Sequence, residues 1–126
     1  MVKQREVYLC LNCGNIAEID YAGGANLVCC GQPMKELVPG TTDAAVEKHV
    51  PEYKVEDGKV IVTVGAVEHP MVDAHYIEWV AVETNFGVQR RALAPGHKPE
   101  AWFALTENEE VKAVYAYCNL HGLWMK

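Results

Sequence analysis

Four of the chain's five cysteines, Cys10, Cys13, Cys29 and Cys30, fall within the first 36 residues, and that crowding limits what this segment can become. So short a stretch cannot bury enough apolar surface to hold itself folded, and a structural metal would have to supply much of its stability. Cys10-Leu11-Asn12-Cys13-Gly14 is a Cys-x-x-Cys knuckle: a tight turn points two thiolates at one ion, and the glycine behind it lets backbone N–H groups approach sulfur. Cys29 and Cys30 complete a set of four. Being adjacent, they cannot form a second knuckle and must reach the ion through an unusual backbone. Tetrahedral sulfur suits zinc and iron equally. A redox dithiol at Cys10 and Cys13 would call for a βαβ setting, which the sequence lacks.

The odd cysteine count argues against a disulfide framework, and residues 1–6 have no apolar core behind them, so no signal peptide is read and a cytoplasmic, reducing location is expected. Half of the 126 residues are hydrophobic and 22% are charged, the composition of a folded protein. No apolar run approaches the ~20 residues of a bilayer span, so no membrane association is expected. With 11 basic against 17 acidic residues the net charge is −6. Nucleic acids and anionic membranes attract clustered Lys and Arg, and neither is an expected partner.

Short β-type runs at 6–9, 16–19 and 27–28 surround the cysteines, with Gly23-Gly24 as a turn. Residues 37–48 read as linker and loop, ending in one helical turn from Ala44 to Lys48 with Thr42 or Asp43 as its cap. Strands are then predicted at 52–56, 59–64, 75–83, 88–93, 101–105 and 111–117, divided by turns such as Asp57-Gly58 and Pro95-Gly96. In 59–64, Val60, Val62 and Val64 alternate with Ile61 and Thr63, and both faces are expected to be covered. In 75–83, alternation places His75, Ile77, Trp79 and Ala81 on one face and Tyr76, Glu78, Val80 and Val82 on the other. The residues after Trp124 carry no readable motif. The expected fold is mostly β: a small metal domain over 1–36, then an immunoglobulin-like β-sandwich over 37–126, a class of about seven strands and ~100 residues.

A second constellation lies in that larger part. Glu47-Lys48-His49-Val50-Pro51, His69-Pro70-Met71, His75-Tyr76 and Cys118-Asn119-Leu120-His121-Gly122 supply four imidazoles and the fifth cysteine. A lone histidine at a strand end is more often a hydrogen-bonded residue than a ligand, and His97, in its Pro-Gly-His-Lys-Pro loop, is read that way. If the other four and Cys118 share one ion, the set has five ligands. Zinc sites usually stop at four and zinc cannot change oxidation state, so five ligands argue for iron with one position open. Imidazoles favour Fe(II), and a thiolate opposite the opening pushes electron density toward whatever binds there. That suits one-electron reduction of a small oxygen species. Lys48 would draw in an anion locally despite the negative total, and Glu47 could occupy the opening in the ferric state. The plainer reading makes Glu47 and Lys48 a solvated charge pair at the end of a helical turn.

The four-cysteine spacing resembles desulforedoxin, a small relative of rubredoxin that holds one iron with a Cys-x-x-Cys and a Cys-Cys pair. The whole combination, Cys-x-x-Cys, Cys-Cys, Glu-Lys-His-Val-Pro, His-Pro-Met, His-Tyr and Cys-Asn-Leu-His-Gly, resembles desulfoferrodoxin, the two-iron form of superoxide reductase, across essentially the whole chain. The resemblance implies an Fe(Cys)4 centre at Cys10, Cys13, Cys29 and Cys30 in a desulforedoxin-like domain. It further implies an Fe(His)4(Cys) centre at His49, His69, His75, His121 and Cys118 in an immunoglobulin-like domain. Glu47 matches the family's glutamate that ligates ferric iron, and Lys48 its lysine near the substrate. Reduction of superoxide to hydrogen peroxide by electrons from rubredoxin, in a homodimer, is the implied activity. The rival readings are a non-catalytic rubredoxin-like electron-transfer protein, with one iron per chain, and a structural zinc module.

Overall fold

The computed structural model describes residues 5–126; residues 1–4, part of the opening that reads as lacking a leader, lie outside them. The chain divides into two compact units, Met1–Val38 and Pro39–Lys126. Among the described residues no helix is long and apolar enough to cross a membrane.

The first unit is built from β1 (Val7–Leu9), β2 (Ile16–Glu18), β3 (Val28–Cys29), β4 (Gln32–Pro33) and β5 (Lys35–Glu36). β1 lies between β2 and β5, antiparallel to both, and β3 and β4 form a separate hairpin. β4 and β5 are absent from the expectations above, because a two-residue strand has no periodicity to read. The apolar cluster consists of buried Tyr8 and Ile19, with Leu27 and Met34 packed against them. That is far less than a unit of this length needs, in keeping with a fold held by its cysteines.

The second unit begins with the one-turn helix α1 (Val46–His49), followed by β6 (Pro51–Glu56), β7 (Lys59–Val64), β8 (Ile77–Thr84), β9 (Gly87–Ala92), β10 (Glu100–Ala104), β11 (Val111–Cys118) and β12 (Gly122–Met125). Seven strands form an antiparallel sandwich, one sheet ordered β10-β7-β6 and the other β12-β11-β8-β9. Val60, Val62, Val64, Ala101 and Phe103 from the first sheet meet Ile77, Val80, Val82, Val114, Ala116 and Cys118 from the second in one buried cluster. Fully burying each such Val or Phe contributes about 1.5–3 kcal/mol, so this unit stabilises itself by packing.

Four local expectations change. Ala45, extended, stands at the N-cap of α1 and makes no side-chain cap bond; neither Thr42 nor Asp43 caps the turn, because the helix starts later than the sequence suggests. β7 is covered on one face only, with Val60, Val62 and Val64 buried while Thr63 is exposed. Strict alternation fails in β8: Tyr117 pairs with Trp79 but Cys118 pairs with Ile77, so Glu78 is the extra residue of a β-bulge. The bulge turns Ile77, rather than Glu78, into the core beside Val80 and Val82. Finally, the C-terminal residues form β12 against β11, with Trp124 opposite Ala116 on the core side.

Candidate metal centres

The first cluster is made by the turn after β1 and the hairpin of β3. One sulfur from each of Cys10, Cys13, Cys29 and Cys30 lies within 4.8 Å of the others. The knuckle closes through Gly14 N–H donating to Cys10 O at 3.0 Å, with Cys13 N–H directed at Cys10 Sγ at 3.5 Å. Gly14, at φ +83°, takes the left-handed conformation this turn requires. The unusual backbone expected at the adjacent pair appears at Cys30, whose φ of +53° is followed by +75° at Gly31. Asn15 Nδ2 reaches Cys29 Sγ at 3.6 Å, and Cys13 Sγ lies 3.6 Å from the same sulfur. Hydrogen bonds from the Cys13 and Asn12 backbone draw the Cys10 thiol down to about 6. Hydrogen bonding with Cys13 and Cys10 pushes the Cys29 thiol up to about 12. Four sulfurs at this spacing give up a first proton easily and resist losing the last, unless a cation stands among them.

The second cluster gathers residues from three parts of the second unit. His49 ends α1, His69 and His75 lie in the β7–β8 connection, and Cys118 and His121 bracket the turn from β11 to β12. Donor atoms of His49, His75, Cys118 and His121 all lie within 4.8 Å of one another. His69 joins them through its Nε2, 3.2 Å from His49 Nε2. The rings form a closed circuit: centroids are 4.6 Å apart for His49–His69, 4.7 Å for His69–His75, 5.0 Å for His75–His121 and 4.9 Å for His121–His49, each pair near perpendicular. His49 and His75 face each other across it at 6.2 Å. Cys118 is fully buried, with its sulfur 3.8 Å from His121 Nδ1.

Proton bookkeeping shows what this circuit is for. The His49 Nδ1–H donates to Ala45 O and the His69 Nδ1–H to Pro70 O, each at 2.7 Å. Those bonds fix the tautomer, leaving a lone pair on each Nε2. The two lone pairs then face each other at 3.2 Å with no proton between them, and His121 Nδ1 lies 3.1 Å from the same His49 Nε2. His75 Nε2 is buried with no hydrogen-bond partner. Burial holds His49 and His75 below the usual imidazole range and takes His69 down to about 4, so all three are neutral and competent to ligate at pH 7. Burial pushes the Cys118 thiol up, opposed by the Leu120 and His121 backbone N–H groups that hydrogen-bond its sulfur. A cation among three imidazole lone pairs and a thiolate satisfies every one of these groups at once. The residues fit a metal.

Glu47 and Lys48 are exposed on α1, and among the described residues neither side chain enters an ion pair. Lys48 is close enough for its charge to help lower His49 and His75. His97 stands apart from the circuit, its Nδ1 accepting from Ala94 N–H at 3.3 Å. Three supporting residues had no legible role in the sequence. Trp124 packs its ring 5.1 Å from His49 and donates Nε1–H to His121 O. Gly65 lets α1 close on β7: a Cβ there would lie 2.7 Å from Glu47 O and 2.9 Å from Val50 O. Asn119 ties two of the loops together.

Two family models match the chain, desulfoferrodoxin over residues 41–126 and the desulfoferrodoxin N-terminal domain over residues 2–37. A desulfoferrodoxin homolog of Archaeoglobus fulgidus is 50% identical over 124 residues, covering 98% of each chain. The desulfoferrodoxin of Nitratidesulfovibrio vulgaris is 46% identical, covering 98% of this chain and 97% of its own. Among solved structures, the superoxide reductase of Treponema pallidum superposes with a TM-score of 0.81 at 38% identity, over 97% of this chain and 99% of that one. The 1Fe superoxide reductase of Giardia intestinalis matches with a TM-score of 0.54 at 35% identity, over 64% of this chain and 95% of its own. The chain belongs to the desulfoferrodoxin family.

Proposed function

We propose that the chain is a superoxide reductase with two irons, converting superoxide, one electron and two protons into hydrogen peroxide. The observation that carries this reading is the circuit of four imidazoles around the buried Cys118, with His75 Nε2 left unpartnered. Iron held by His49, His69, His75, His121 and Cys118 supplies the electron, which zinc cannot. Residues 1–36 form the domain of the second iron, at Cys10, Cys13, Cys29 and Cys30, and residues 37–126 form the catalytic domain, with 37–48 as the connecting loop.

The chain's own groups handle the anion and the protons. Lys48 attracts superoxide by local charge in a protein of net charge −6 and orders water for proton delivery. Glu47, beside it, is the carboxylate that closes the site when no anion is present. Cys118 would be the one anionic donor among five; burial pushes its thiol up, the N–H groups of Leu120 and His121 oppose that rise by hydrogen-bonding its sulfur, and a bound cation would complete its ionisation. The electron donor is rubredoxin-like, the assembly is a homodimer and the compartment is the cytoplasm.

Metal analysis with a visible spectrum tests the whole reading: two irons per chain and two distinguishable ferric thiolate bands are expected. One iron per chain would favour a non-catalytic electron carrier, and a colourless zinc protein would favour a structural module. Peroxide formed without oxygen separates reduction from dismutation. Replacing Lys48 (Lys48→Ile) should slow the second-order reaction in pulse radiolysis and flatten its salt dependence with both irons retained. An unchanged rate would remove Lys48 from the mechanism.

A further inference from the structure

His75 differs from the other buried imidazoles in how it is held. His49 and His69 each fix their ring with an Nδ1–H bond to a backbone carbonyl. Among the described residues His75 has no such anchor, its Nε2 is unpartnered, and it sits in a tight turn closed by reciprocal backbone bonds between Val72 and His75 at 3.0 Å. What fixes this turn to the rest of the site is Asn119, between Cys118 and His121.

At Cys118 strand β11 turns away toward β12, and its ladder with β8 runs out at the Cys118–Ile77 pair. Asn119 N–H makes one more backbone bond, to Tyr76 O at 3.2 Å. Its side chain then continues the ladder where no backbone remains: Oδ1 accepts from Tyr76 N–H at 2.9 Å and Nδ2 donates to Ala74 O at 3.1 Å. A carboxamide has the donor and acceptor of a peptide group, so it can stand in for the missing residue of the strand. The amide orientation follows from chemistry, since the atom facing Tyr76 N–H must be an acceptor. These three bonds clamp both neighbours of His75, Ala74 and Tyr76, to the loop that carries Cys118 and His121.

We propose that Asn119 is a positioning residue for His75, holding the His75 imidazole at the distance from Cys118 and His121 that lets one ion engage all three. The inference rests on reading the histidine circuit as a metal centre. A partner that orients a metal ligand from behind typically governs affinity by about 10- to 100-fold, and the same range is expected here, without loss of the sandwich.

The test uses Co(II) in the full-length protein, so it does not depend on superoxide chemistry. Dissociation constants for the histidine-cysteine site would be measured for the wild type, Asn119→Ala, His75→Ala and the double variant. A fall in affinity of about tenfold or more in Asn119→Ala, absent when the same change is made in the His75→Ala background, supports the proposal, because a general structural role would persist in both. Equal losses in the two backgrounds, or a wild-type affinity in Asn119→Ala, overturn it. Should Asn119→Ala fail to fold, Asn119→Asp keeps the acceptor for Tyr76 and removes only the donor to Ala74; the same cycle with His75→Ala cancels the effect of the added charge. Coupling there supports the proposal, and its absence overturns it. A wild-type protein that binds no Co(II) at this site would instead defeat the metal-centre reading on which the proposal stands.

Discussion

The two ligand sets are built in opposite ways. Around Cys10, Cys13, Cys29 and Cys30 the strands are two or three residues long, Cys13 and Cys30 are exposed, and the buried apolar cluster is Tyr8 and Ile19. Around His49, His69, His75, His121 and Cys118 the strands run to eight residues, and Cys118 is itself one of eleven residues in a continuous core. In the first unit the ligands hold the fold; in the second the fold holds the ligands. The first site therefore depends on the spacing of its cysteines, whereas the second depends on the register of β8 and β11.

The most drastic way to break this contrast is to remove the metals. With chelator and reductant, residues of the first unit should lose all amide protection, because a site of this kind couples metal binding to folding outright. The sandwich should stay folded, with its β7, β8 and β11 amides still protected. Hydrogen exchange resolved by residue reads both units in one sample. Persistent protection in β1 and β2 of the metal-free chain would mean that the small unit has a sufficient core after all.

The next largest effect reverses the direction of attack. Phe103 is buried at the centre of the sandwich, and Phe103→Ala should destabilise the second unit by about 3–5 kcal/mol through lost burial and the cavity left behind. In a domain of this size each kcal/mol lowers the melting temperature by roughly 4–8 °C. Calorimetry of the second unit's transition measures the loss, and the visible band of the four-cysteine centre, recorded below that transition, should be unchanged. A change in that band would show that the small unit draws stability from more than its metal.

The contrast also governs what could be read without a structure. The four-cysteine site is legible because its ligands are near in sequence and the knuckle is a local turn; even the strained backbone at Cys29-Cys30 follows from adjacency, and Cys30 shows it at φ +53°. The second site is spread across the chain, with His49 and His121 separated by 72 positions. The residues themselves leave their convergence open, and the resemblance to a known family supplies the set. Three features stayed hidden because each is a property of pairing between strands. The bulge at Glu78 depends on what β11 does opposite it. Strand β12 depends on β11 for its partner, and the ladder-extending amide of Asn119 has meaning only beside Tyr76. Nothing in the sequence marks Gly65, whose role is visible only with the backbone of α1 packed against it.

The smallest effect separates the units by acid. All five histidines lie beyond residue 38, so only the second unit carries an imidazole contribution to stability. His69, 2% exposed, is driven down to about 4 chiefly by burial, and burial lowers His49 and His75 as well. An unfolded chain takes up protons on these rings near pH 6.5, before the folded one can. In the metal-free protein their contribution is complete above about pH 6.5 and is lost progressively as the pH falls toward 4. At about 1.36 kcal/mol per unit of pKa, His69 alone accounts for roughly 3 kcal/mol over that window. Denaturant unfolding of the metal-free sandwich between pH 8 and pH 4.5 should show a level upper range and a falling lower one. Because carboxylates also titrate near the acid end, the decisive quantity is the difference from His69→Gln, whose profile should fall less steeply below pH 6.5. Identical slopes would mean that His69 is solvated in the metal-free state, and that the circuit of imidazoles is assembled by the metal just as the cysteine knuckle is.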